Sequence, residues 1–295
     1  MACDMILGID DLVADRGGGT CVGVCGTPGC GACPTVAMVD IPHPTSPYRI
    51  DAFEVTIAEY QAFVAAGYAL SAQDRRCEYN LDYSPGIVPQ TTIDLLEVEV
   101  DTFEASSLDE CKGWLEAELA EFGENEPVRC VDVCDARAYC AWAGKRLCGE
   151  IGGDILDVTQ QMNEHADPER SEWHRACTQA GATIYPYGDT YEPGRCIDAE
   201  LSPNIIYNVD SHLECEGGYP GLFHMSGNAG EWDNSCTAYG GSPAGENCLA
   251  RGGFFYSGGT VMITPAEDLA CGSYRDALQS VGSSSIGFRC CADPL

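Results

Sequence analysis

The stretch YPGLFHMSGNAGEW, residues 219–232, is where the reading of this chain begins. A loop this dense in glycine is turn, and Glu231 at its end can serve as an acceptor for the amides of the turn. Ser226, in the same loop, stands in HMSGN without the strand–turn–helix context of a hydrolase nucleophile.

Three further segments carry weight on either side: FEVTIAEYQAFV (53–64), RAYCAWAGKRL (137–147) and RGGFFYS…GFRCCAD (251–293). In the first, Thr56 is a natural cap for a helix with Ile57, Tyr60, Phe63 and Val64 on one face and Gly67 as its stop. In the second, DARAYCAWAG places Ala136, Tyr139, Cys140 and Ala143 along one side of a helix. Helices are also predicted from Ser107, with Glu110 completing a capping box, and from Ser171, with Trp173, Ala176 and Cys177 facing inward. MVDIP and YRIDAFEV read as short strands, and residues 90–104 as an acidic surface insertion. Beyond Gly181 the text turns to Gly, Tyr, Ser and Pro, with short strand-like pieces and no long helix.

The charge is extreme. Forty-six acidic against fifteen basic residues give a net charge of −31. Such a surface repels phosphate backbones, so nucleic acid is excluded as a partner, and divalent cations and basic proteins are favoured over it. No run is long and apolar enough for a transmembrane span.

Nineteen cysteines are spread along the chain and not gathered into repeated metal-binding pairs. That pattern predicts disulfides and an extracellular, periplasmic or cell-surface location. MACDMILGIDDL lacks the basic and apolar regions of a signal peptide, so a secretion or lipoprotein signal is expected to stand outside the sequence given. The count is odd, and Cys3 is the expected leftover, available for a lipid anchor or an inter-chain contact. Residues 1–35 read as a separate Cys/Gly-rich segment, with Cys21, Cys25, Cys30 and Cys33 held by two disulfides or one metal; residues 36–295 read as one domain.

In their order, the four segments resemble the formylglycine-generating-enzyme, or sulfatase-modifying-factor, family. The resemblance covers residues 36–295 and implies a disulfide-rich, irregular single-domain α+β fold related to C-type lectins. It implies the disulfides Cys140–Cys290 and Cys177–Cys271. Proximity adds Cys196–Cys215 and Cys236–Cys248, and Cys148 and Cys291, one step beyond the first pair, are left to each other.

The resemblance also implies calcium, held by the carbonyls of Gly227 and Ala229 and by the Glu231 carboxylate, with a second site near Asp198, Asn208 and Asp210. This chain departs from the family at His224, where an oxygen ligand is usual. It departs further at the copper site, where two thiolates hold Cu(I). Counted from Arg251-Gly252-Gly253, those positions carry Ser257 and Met262, and no cysteine lies between Cys248 and Cys271. No copper is therefore expected. A three-histidine iron site is equally unsupported: His43, His165, His174, His212 and His224 show no HxxxH pair, and His174 reads as structural.

The favoured expectation is a secreted or surface-anchored, non-catalytic binding or structural module for an unknown protein or surface ligand. Tyr256 and Tyr274 are its possible ligand face, and Phe254 and Phe255 are read as core. The rivals are a metal-dependent oxidoreductase of the formylglycine-generating type and an architectural subunit of a surface assembly.

Overall fold

The computed structural model describes residues 20–85, 111, 123–159, 164–198, 201, 205–237, 245–253 and 264–295. The predicted helix from Ser107 and the acidic stretch 90–104 lie outside these residues, apart from Cys111.

Two sheets and two principal helices make an α+β domain. Strands β1 (Met38–Ile41), β2 (Tyr48–Asp51), β3 (Arg146–Leu147) and β9 (Cys290–Ala292) form one sheet in the order β1-β2-β9-β3. The other runs β4 (Leu156–Asp157), β5 (Gly230–Cys236), β6 (Asn247–Arg251), β7 (Tyr274–Leu278), with β8 (Ile286–Phe288) added in parallel on β5. The C-terminal segment thus feeds both sheets, β8 into one and β9 into the other.

Helix α1 (Ile57–Ala65) forms where the apolar spacing puts it. Thr56 and Glu59 cap each other's backbone, and Ile57, Tyr60 and Phe63 are buried. Helix α2 (Val133–Trp142) starts two residues before the sequence-predicted DARAYCAWAG, because Asp132 and Asp135 close a capping box there. Short α3 (Glu172–Cys177) is capped by Ser171, which accepts from the His174 amide, and α4 spans Pro265–Asp268. Between α1 and α2 lies an aromatic cluster. Phe63 meets Tyr139 edge-on at 5.8 Å and Trp142 at 5.6 Å, and Tyr139 meets Phe288 at 5.4 Å.

Disulfides tie these layers. Cys140 joins Cys290, Cys148 joins Cys291 and Cys177 joins Cys271 across 150, 143 and 94 residues. In the chain-entropy model, loops of that length contribute about 4–5 kcal/mol each. Cys196–Cys215 and Cys236–Cys248 close local loops, and Cys77–Cys134 and Cys111–Cys130 complete the helical half.

The Cys-rich segment holds itself with Cys21–Cys30 and Cys25–Cys33, by disulfides and not by metal. Its described part does not stand apart. Cys25 N donates to Trp142 O at 2.7 Å, Trp142 Nε1 donates to Cys30 O at 2.8 Å, and Cys21, Cys25 and Cys30 are buried in the main core. Having too little apolar mass for a core of its own, the knot borrows that of α1 and α2.

Candidate functional site

Two acids two residues apart on β5, Glu231 and Asp233, share a face of the strand. Trp232 points the other way and donates to Val131 O at 2.9 Å. Each acid meets an arginine, Arg289 from the C-terminal segment or Arg251 from β6, and all four side chains are buried.

Around Glu231 the hydrogen bonding is saturated. Arg289 Nε lies 2.8 Å from both carboxylate oxygens, Arg289 Nη2 lies 2.6 Å from Oε1, and Trp173 Nε1 donates to Oε2 at 2.7 Å. The remaining Arg289 hydrogens reach the carbonyls of Asp51, Phe223 and His224 at 3.0, 2.9 and 3.2 Å. Burial works against the Arg289 charge, but Glu231, Glu54 and Asp51 together hold the guanidinium above its usual value. Nearby, Glu54 accepts from Asn228 Nδ2 at 3.0 Å, and its Oε2 is buried without a partner. The second pair is less complete. Arg251 Nε bonds Asp233 Oδ2 and the guanidinium lies 5.7 Å from the Trp173 ring centre, but among the described residues Nη1, Nη2 and Asp233 Oδ1 are buried without hydrogen-bond partners.

Glu231, expected to hold calcium, is already engaged. A carboxylate offers about four acceptor positions, and three N–H groups of Arg289 and Trp173 occupy both oxygens of Glu231. A guanidinium in contact with the carboxylate also repels a second cation. Glu231 bonds side chains, not the turn amides of the alternative reading. Gly227 is instead needed for space: at φ +77° a Cβ there would lie 2.0 Å from Ile197 O. Ala229 is buried beside it. His224 is buried, its Nε2 sits 3.0 Å from Ser211 O, and burial pushes it down to about 4, so it is neutral. In the second expected set, Asp198 takes the Tyr191 hydroxyl at 2.7 Å and the Leu201 amide at 2.8 Å, Asp210 meets Asn125 at 3.4 Å, and Asn208 O accepts from Ser211 Oγ at 2.6 Å. Among the described residues, no three His, Cys, Asp or Glu side chains form a group able to hold a metal ion.

Ser257, Met262, Tyr256, Phe254 and Phe255 lie outside the described residues, as does Cys3. The flanking cysteines are described: Cys248 is bonded to Cys236 and Cys271 to Cys177. Tyr274, expected on a ligand face, stacks edge-on to His165 at 4.2 Å and packs against a small core of Leu156, Val158 and Leu249. It is partly buried there. His174 is structural: buried, bonded through Nδ1 to Cys271 O at 3.1 Å and lowered by burial to about 4. Ser226 Oγ is spent on Leu269 O at 2.6 Å.

Sequence reading missed Arg289, Glu54 and the Asp233–Arg251 pair. For Arg289 a signal exists: a lone charge in the run IGFRCC, between apolar neighbours and paired cysteines, has nowhere to go but inward.

Comparison with known proteins agrees with this architecture. The model of the "Sulfatase-modifying factor enzyme 1-like domain" matches residues 37–294. The formylglycine-generating enzyme of Mycobacterium tuberculosis is 26% identical over 199 residues, covering 57% of this chain and 58% of that protein. That of Streptomyces coelicolor is 30% identical over 197 residues, covering 57% and 53%, so the chain spans little more than half the length of these two relatives. The enzyme of Thermomonospora curvata is 26% identical over 292 residues, covering 85% and 83%. With a family match over nearly its whole length, the chain belongs to the sulfatase-modifying factor enzyme 1-like domain family.

Proposed function

We propose that this family member is a non-catalytic binding or structural module of an oxidising compartment, secreted or held at a surface. One observation carries the reading. All cysteines from Cys21 to Cys291 are in disulfides. Cu(I) chemistry of the formylglycine type needs two thiolates converging on one ion. Disulfide sulfurs are poor ligands, and the sequence carries Ser257 and Met262 at the corresponding positions. The density of disulfides supports an oxidising location, and among the described residues no helix is long and apolar enough to cross a membrane.

The second reading, an oxidoreductase, is favoured by the names of the relatives, all formylglycine-generating enzymes. A Cu(I) competition titration against a coloured chelator separates the two. The expected result is no copper retained by the protein and copper gained by the double variant Ser257→Cys, Met262→Cys. Tight retention of one Cu(I) per wild-type chain overturns the proposal.

A further inference from the structure

We propose that the cleft between the Cys-rich knot, the start of α1 and the 208–210 loop receives the basic side chain of a protein partner. This deepens the binding-module reading and rests on it. The cleft has a volume of about 440 Å³, ample for one long side chain. Its walls are apolar: Pro34 from the knot, Val209 from the loop, and Phe53, whose ring is backed by Phe223 in a parallel stack at 4.9 Å. Ala58 and Ala62 stand one turn apart on α1 and, being small, leave the space open. An aliphatic stem fits such walls, as lysine and arginine stems lie along apolar surface while their heads stay polar.

The polar lining has one sign. Glu59 and Asp210 face the cleft, and among the described residues no Lys, Arg or His lines it. Among the described residues neither acid has an ion-pair partner. Glu59 Oε2 accepts from the Thr56 amide at 2.8 Å, and Asp210 meets only the neutral Asn125 amide. Burial holds Glu59 above the usual carboxylate value, against the Thr56 hydrogen bonds and the charge of Lys145, itself paired with Asp51, which lower it. The positive end of the α1 dipole opposes a cation, but it amounts to about half a charge against two carboxylates. The net charge of −31 steers basic partners to the molecule and repels acidic ones.

The test uses acetylated, amidated tripeptides Gly-X-Gly, with X lysine, arginine or norleucine, followed by saturation-transfer NMR on the whole chain. Lysine or arginine peptides should bind roughly tenfold more tightly than the norleucine peptide, and added salt should weaken them. Asp210→Asn should weaken binding severalfold. Ala62→Phe, on the exposed face of α1, should abolish it without lowering the melting temperature. Equal binding of lysine and norleucine peptides, no binding of either basic peptide, or unchanged binding by a folded Ala62→Phe variant overturns the proposal. Copper retention in the titration above would instead defeat the non-catalytic reading and leave these outcomes untouched.

Discussion

The two buried ion pairs on β5 sit two residues apart and are built to different standards. Glu231–Arg289 has its acceptors and donors matched and gathers β2, the 223–224 turn, α3 and β5 around one guanidinium. Arg251–Asp233 is as deeply buried, yet among the described residues both terminal amino groups of the arginine and one carboxylate oxygen go without hydrogen bonds. The difference teaches that burial of an ion pair is not itself a measure of stability. An unpaired buried charge costs several kcal/mol, roughly, and a buried pair recovers that cost only when its hydrogen bonds are complete.

The comparison breaks first at Arg289. Arg289→Met leaves Glu231 buried among donors sized for a charge, and should destabilise the domain by about 3–5 kcal/mol in non-reducing denaturant unfolding. Wild-type stability should be equal in calcium and in EDTA, since Arg289 and Trp173 already occupy both oxygens of Glu231. A wild-type stability that falls in EDTA would restore the metal to that loop.

At the second pair the sign differs. Asp233→Leu alone strands Arg251 and should cost about 3 kcal/mol or more, whereas Asp233→Leu with Arg251→Met should fall within about 1 kcal/mol of wild type or above it. A double variant as weak as the single one would show that Arg251 contributes through its contact with Trp173.

The smallest effect is on pH. Asp132 and Asp135 cap α2 reciprocally, with Asn80, Tyr79, Asp82 and Arg137 as their polar surroundings. Burial pushes Asp132 up to about 7 from an ordinary 3.8, and Asp135 is raised further by burial and by Asp132. An acid whose folded value lies above its unfolded value holds its proton more tightly when folded. Its contribution is full below the unfolded value and is lost as pH rises through the folded one. Stability should therefore fall between about pH 4 and pH 7, the window those values span. Asp132→Asn, which still caps the helix, should flatten that slope, and a slope unchanged in the variant would place the titration elsewhere.

What the sequence made legible was local. The face of α1 follows from Ile57, Tyr60 and Phe63 at helical spacing, and the start of α3 from Ser171. The start of α2 was misplaced because two acids three residues apart, Asp132 and Asp135, act as caps and look like surface charge. The partner of Glu231 was not legible, since Arg289 lies 58 residues away and no periodicity joins them. The knot's attachment to Trp142 was hidden for the same reason: its bonds are to backbone atoms across 112 residues.

The central claim is that a sulfatase-modifying-factor domain persists here without the family's thiol chemistry. Incubating the protein with copper, oxygen and a cysteine-containing sulfatase peptide, and weighing the peptide by mass spectrometry, tests it most directly. The account predicts no conversion above a no-enzyme control; a product that has lost sulfur and gained an aldehyde would contradict it.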